Sequence, residues 1–256
     1  MLLRNRWLNF PDRLEDLATA TSLLTRFPIT TAHHGDNLGE SAWAWPVVGA
    51  IVGLLTGLIV WQLHNVGIGS SAAVVLGLMA AILMTGCLHE DGLADTVDGF
   101  WGADNPKRRL EIMNDSGIGA FGACAIVLIL MARFTATVQI METLSPIAVL
   151  VASGAVSRAV MPVSLHVFPL ARKDGLARLC GRTDLDVVSI SAAIALFLTI
   201  MVLGWSSIVA IITAALAGFA VGVLSQRKIG GISGDTLGCT QQVSETIFLL
   251  TLVMIV

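Results

Sequence analysis

Seven runs of apolar residues dominate this chain, at approximately 43–63, 69–88, 117–134, 144–163, 187–204, 206–224 and 239–256. Each comes near the roughly 20 residues that an α-helix needs to cross the hydrocarbon core of a bilayer. Only 13% of the residues are charged, against about 25% in soluble domains, and the mean hydropathy is +0.82. The chain is too apolar for a water-facing surface. The sequence therefore predicts an all-α, polytopic integral membrane protein with about seven transmembrane helices and polar cytoplasmic loops. No Pro/Ser-rich linker divides it, so residues 1–256 read as a single membrane-embedded domain. Its N-terminal segment 1–42 is cytoplasmic or amphipathic, with 14–30 suited to an extra amphipathic or re-entrant helix.

Gly204-Trp205-Ser206 makes a tight hairpin between the fifth and sixth runs, and Trp43, Trp45 and Trp61 bracket the first. Interfacial tryptophans of this kind mark span ends. Lysine and arginine set the orientation, because short cytoplasmic loops hold them in excess. Arg4, Arg6, Arg13 and Arg26 precede the first span, Lys107, Arg108 and Arg109 follow the second, Arg172, Lys173, Arg178 and Arg182 follow the fourth, and Arg227 and Lys228 follow the sixth. The alternate connections hold none, and only Arg133 and Arg158 remain, inside the edges of spans. The N-terminus and the charged loops are thus expected in the cytoplasm, with the C-terminus outside.

A formal charge of −3 and the absence of tyrosine argue against nucleic acid as a partner. The four cysteines, Cys87, Cys124, Cys180 and Cys239, lie far apart and read as buried free thiols. The first 40 residues lack the continuous apolar core and cleavage site of a secretory signal, so targeting is expected from the spans themselves.

The connection after the second span reads His89-Glu90-Asp91-Gly92-Leu93-Ala94-Asp95-Thr96-Val97-Asp98-Gly99. On a helix continuing from that span, Asp91, Asp95 and Asp98 fall at i, i+4 and i+7 and share one face. Like charges stacked so need a counter-charge. Hard divalent cations such as Mg²⁺ take oxygen ligands and are commonly shared between carboxylates and substrate phosphates, and acids at a membrane boundary are functional by default. His89 reads as a ligand, a base or an interfacial histidine. With no cysteine or histidine cluster beside it, zinc is not indicated.

A basic run follows, Lys107-Arg108-Arg109, then Asp115 at the start of the third span, where it caps the helix or supplies another metal ligand. Arginine forks match phosphate oxygens, and a basic run beside carboxylates is what a diphosphate with its Mg²⁺ requires. Arg158 lies within the fourth span and calls for a carboxylate, a phosphate or a water-filled cavity. Gly230-Gly231-Ile232-Ser233-Gly234-Asp235 leads into the last span as a flexible turn able to present amides to an anion. Gln241, Gln242 and Glu245 then carry a polar stripe into the membrane.

The run Leu88–Gly99, followed by Arg108-Arg109-Leu110-Glu111-Ile112-Met113-Asn114-Asp115-Ser116 and Ile118-Gly119, resembles the adenosylcobinamide-GDP ribazoletransferase (cobalamin synthase) family. Thr25-Arg26-Phe27-Pro28, Pro46-Val47-Val48-Gly49, Ser157-Arg158, Ala171-Arg172 with Gly175, and Gly231–Gly238 with Glu245 stand in the family's order. Where the family pattern has Lys-Asp-Ser-Arg-Ile-Gly this chain has Asn114-Asp115-Ser116-Gly117-Ile118-Gly119, a loss of two positive charges. Ser233-Gly234-Asp235 likewise replaces Thr-Gly-Asp.

The resemblance implies Mg²⁺-dependent transfer of the adenosylcobinamide-phosphate group from adenosylcobinamide-GDP to α-ribazole or its 5′-phosphate, with release of GMP. It implies Mg²⁺ held by Glu90, Asp91, Asp95, Asp98 and Asp115. Asp98 or Asp235 would accept the proton of a ribose hydroxyl, with His89 a further catalytic candidate. Arg26, Arg108, Arg109, Arg158, Arg172, Gly231, Gly234 and Glu245 are the expected substrate-binding groups. The lipid bilayer is the expected surrounding, and a homo-oligomer or an assembly with other corrinoid-pathway enzymes would suit the role. Two rival readings are a CDP-alcohol phosphotransferase, whose opening motif Asp95-Thr-Val-Asp98-Gly99 fits while its second Asp pair is missing, and an ion-coupled transporter.

Overall fold

A computed structural model describes residues 10–30 and 38–256; Arg4, Arg6 and part of the N-terminal segment lie outside the described residues. The described residues form α1 (Phe10–Leu24), a 3-10 turn (Leu38–Ala44) running into α2 (Trp45–Asn65), α3 (Ser70–Thr85), α4 (Leu88–Gly102) and α5 (Pro106–Met113). There follow α6 (Ala120–Ile140), α7 (Pro146–Val167), α8 (Leu176–Cys180), α9 (Leu185–Leu203), α10 (Ile208–Ile229) and α11 (Gly234–Ile255). Six of these are long and apolar enough to cross a membrane, and α3 makes a seventh when joined to α4. The chain is an all-α, multi-pass membrane protein. α1 overlaps the 14–30 stretch suited to an extra helix, and both starts and ends earlier.

The second apolar run departs from expectation at its end. Gly86 and Cys87 both adopt left-handed backbone, φ 65° and 62°, and the Cys87 amide turns back to the Ile82 carbonyl at 3.0 Å. That closes α3 and sends α4 off at 87°, toward the end of the bundle where α5, α8 and the longer loops gather. α4 is thus not a continuation of the span. Arg26 fastens the break, its amide donating to the Met84 carbonyl at 2.7 Å while its side chain covers Gly86 so closely that a methyl group there would collide with it.

Helices α2, α7 and α11 form the interior. α2 meets α7 through Gly49, Gly53 and Gly57, four residues apart, each set directly against α7 backbone at Gly154, Leu150 and Ile147. Small residues at this spacing let membrane helices approach closely, where dispersion replaces the hydrophobic effect as the driving force. Gly53→Val should separate the pair at a cost of about 1–3 kcal/mol, read as a lowered unfolding temperature of the detergent-purified chain with its helix content unchanged.

The outward faces of α6, α9 and α10 are apolar: Leu128, Met131, Phe197, Met201 and Leu216 are all exposed, as lipid contact demands. Cys180 and Cys239 are buried free thiols as expected, whereas Cys87 and Cys124 are exposed. Cys87 is turned out by the helix break, and Cys124 lies on the outer side of α6.

Candidate active site

The α4–α11 crossing organises the polar end of the bundle. A methyl on Gly92 would meet the Asp235 carbonyl and the Gly238 Cα, and one on Gly238 would meet Gly92 and His89. Glycine on both sides brings the start of α4 onto the first turns of α11. Ser233 caps α11, its hydroxyl accepting from the Thr236 amide while the Thr236 hydroxyl accepts from the Ser233 amide. Upstream, the Ile232 amide donates to the Pro169 carbonyl and the Ala171 amide to the Ile232 carbonyl, both at 2.8 Å. Gly231 sits against Pro169 with no room for a side chain. This short parallel bridge between two loops sets Arg172 beside Asp235, guanidinium to carboxylate at 3.0 Å, with the Ser233 hydroxyl donating to the same oxygen at 3.1 Å.

A cavity of about 440 Å³ opens here, lined by Asp91, Asp95, Asp115, Asp235, Arg172 and the Asn114–Ile118 loop. Asp91 and Asp115 are exposed and Asp95 and Asp235 half-buried. Burial, then the charges of Asp91, Asp235 and Asp98, push the Asp95 carboxyl up to about 7. Among the described residues no three Asp, Glu, His or Cys side chains converge as a closed metal cage. The donors are nonetheless all oxygen, repel one another and face open space, which fits Mg²⁺ held by one or two carboxylates and completed by substrate phosphates and water.

A second cavity, about 130 Å³, lies on the other side of the same wall. Asp91, Arg172 and Asp235 border both cavities, and Gly234, at the start of α11, borders the smaller one. His89 and Trp45 line it too, each 2% exposed, and among the described residues neither the His89 ring nitrogens nor Trp45 Nε1 has a hydrogen-bond partner. The sequence had marked Trp45 only as a span boundary, and its depth had no signal.

Other residues singled out by the sequence take different places. Both Asp98 oxygens accept from the amide groups that start α6, Gly119 at 2.7 Å and Gly122 at 2.9 Å, so Asp98 acts as a helix cap rather than facing the cavity. Asp98→Asn should cost about 1 kcal/mol of stability and depress turnover far less than a change at Asp95; equal losses at the two positions would contradict the cap assignment. Arg108 turns to Glu111 at 3.0 Å on the surface of α5. Arg109 donates to the Ala103 and Lys228 carbonyls, both at 2.9 Å, tying α5 to the end of α10. Neither arginine borders the carboxylate cavity, which has Arg172 as its lining cation among the described residues.

Glu90 points away from Asp91, into the bundle. There Gln242 donates to it at 2.9 Å and Arg133 stands 3.8 Å away. Glu245 lies deeper on α11 and accepts from Arg133 at 2.7 Å and Arg158 at 3.0 Å, with Gln241 donating as well. All four charged groups are buried. This closed network, to which Arg133 is central, holds α4, α6, α7 and α11 together. The sequence marks Arg158, Glu90 and the stripe of Gln241, Gln242 and Glu245 separately, with Arg133 a lone arginine at a span edge, and nothing local pairs them.

Residues 16–253 match the model of a family described as cobalamin-5-phosphate synthase. Curated relatives named adenosylcobinamide-GDP ribazoletransferase include one from Mesorhizobium japonicum, 36% identical over 98% of this chain and 97% of its own length. Others come from Azorhizobium caulinodans, 38% identical over 93% and 94%, and Bradyrhizobium diazoefficiens, 35% identical over 93% and 92%. No solved structure matches.

Proposed function

The chain belongs to the cobalamin-5-phosphate synthase family, and from that premise we propose that it joins adenosylcobinamide-GDP to α-ribazole or α-ribazole 5′-phosphate, releasing GMP, in assembly of the cobalamin nucleotide loop. The observation that carries this reading is the wall shared by the two cavities, where Asp235 and Arg172 face both a carboxylate-lined chamber and a smaller, mostly apolar one. A transferase needs donor and acceptor on either side of one reacting centre.

In this reading the GDP diphosphate lies in the larger cavity, where Asp91, Asp95 and Asp115 would hold a Mg²⁺. Such an ion would supply charge neutralisation on the diphosphate. Asp235 takes the proton of the attacking ribose hydroxyl as its oxygen bonds to the cobinamide-linked phosphorus. The bond from that phosphorus to the GMP oxygen breaks, and Arg172 meets the charge that leaves with GMP. Arg172 holds Asp235 in line until substrate arrives. The excess of arginine and lysine in these loops supports a cytoplasmic site at the inner membrane, where a bulky corrinoid would reach these groups without entering lipid.

Purified chain in detergent, given Mg²⁺, adenosylcobinamide-GDP and α-ribazole, should release GMP and form adenosylcobalamin in equal amounts; no GMP would overturn the reading. Arg172→Lys keeps the charge but loses the planar fork and should lower kcat about tenfold to a hundredfold, measured in the same assay.

A further inference from the structure

We infer that the smaller cavity is the acceptor's base pocket, taking the flat bicyclic heteroaromatic ring of the ribazole with its ribose directed at the Asp235–Arg172 wall. This assignment rests on the transferase reading above and adds to it where the acceptor lies and what selects it.

The argument begins with unmet hydrogen bonds. A buried polar group without a partner is costly, and this cavity has two side chains in that state, His89 and Trp45. Indole Nε1 is a donor only, and a neutral imidazole offers one donor and one acceptor. A benzimidazole riboside carries one ring nitrogen free to accept, together with ribose hydroxyls that donate and accept. Away from the Asp91, Arg172 and Asp235 wall the lining is apolar, with Leu24, Met161 and Leu237 on three different helices. Such a lining suits a dimethyl-substituted ring.

The competing flat ring is the guanine of the donor. Guanine presents a donor–acceptor–donor edge that calls for a carboxylate in register with it, and the two carboxylates bordering this cavity, Asp91 and Asp235, are the ones the transferase reading already engages with the cation and with the attacking hydroxyl. The corrin macrocycle is far too large for about 130 Å³. Position also favours the acceptor: Asp235, the proposed proton acceptor, borders the cavity, whereas Asp95 and Asp115 border only the other one.

The test uses the full-length chain in detergent with adenosylcobinamide-GDP and two acceptors, α-ribazole and the corresponding riboside of benzimidazole without methyl groups. Leu237→Phe narrows the pocket. It should raise KM for α-ribazole about tenfold, leave KM for adenosylcobinamide-GDP unmoved, and make the unmethylated riboside the better acceptor. His89→Leu, read independently, removes the partner of the ring nitrogen and should raise KM for both acceptors about tenfold without changing their order. A rise confined to the GDP donor would put guanine in the pocket and overturn the assignment. So would unchanged acceptor constants in both variants. Failure of the wild-type chain to release GMP sinks the transferase reading itself, whereas an active wild type whose Leu237→Phe variant keeps the original acceptor order sinks only the pocket.

Discussion

Asp95→Asn is expected to cut GMP release by about a thousandfold or more while the chain still inserts and purifies normally. Asp95 lies one turn beyond Asp91 on α4 and borders the same chamber as Asp235 and Asp115. Its carboxyl is pushed up to about 7 by burial and by the neighbouring acids, so above neutrality the ionised acids repel one another and a cation bound among them would relieve that repulsion. An amide is a poor ligand for a hard cation. Charge stabilisation at such an ion is worth several kcal/mol, and each 1.4 kcal/mol or so is a factor of ten.

Stability should move the other way. A raised carboxyl pKa means that the folded, cation-free chain binds more protons than the unfolded one between about pH 4, the ordinary Asp value, and about 7. Stability therefore falls as pH rises through that window. Without Mg²⁺ at pH 8 the Asn variant should unfold at a higher temperature than wild type, and at pH 4 the two should converge. Added Mg²⁺ should raise the unfolding temperature of wild type more at pH 8 than at pH 5. It should do little for the variant. Near-normal turnover in Asp95→Asn would remove the carboxylate–cation reading altogether.

The sequence made the spans legible because each is a local property: twenty apolar residues announce a helix without reference to anything else. The shared face of Asp91 and Asp95 was legible for the same reason, since it follows from helical period alone. The bend before it was not. Gly86 is an ordinary helix-ending residue, but the left-handed Cys87 beside it has no compositional signal, and it turns a predicted continuation into a separate helix. Asp98 shares the face of Asp91 and Asp95 by period, yet its partners are amides 21 and 24 residues further on. Arg109 finds its carbonyl 119 residues away and Glu90 its glutamine 152 away. Such pairings depend on which helices become neighbours, which no local pattern states. Arg172 and Asp235 were each marked as candidates, and only the bridge between their loops made them a pair.

Glu245→Gln is expected to be the most damaging single change to the fold. The wild-type cluster of Arg133, Arg158, Glu90 and Glu245 balances two positive against two negative charges, all buried. Removing one carboxylate charge leaves two guanidiniums facing Glu90, which stands 3.8 Å from Arg133 and is already occupied by Gln242. Breaking a buried pair from one side costs about 3–5 kcal/mol, or about 10 °C in unfolding temperature for a chain of this size. The membrane offers no water to take up the charge. The loss should also reach the active site, because Glu90 opens α4 next to Asp91: weaker anchoring there frees the helix that carries the metal-facing carboxylates. The Glu245→Gln, Arg158→Gln double variant restores neutrality and should regain much of the lost stability, with Arg133 then free to pair with Glu90. If the double variant is instead as unstable as the sum of the two single variants, the network is not a balanced charge cluster, and its members act as independent packing groups.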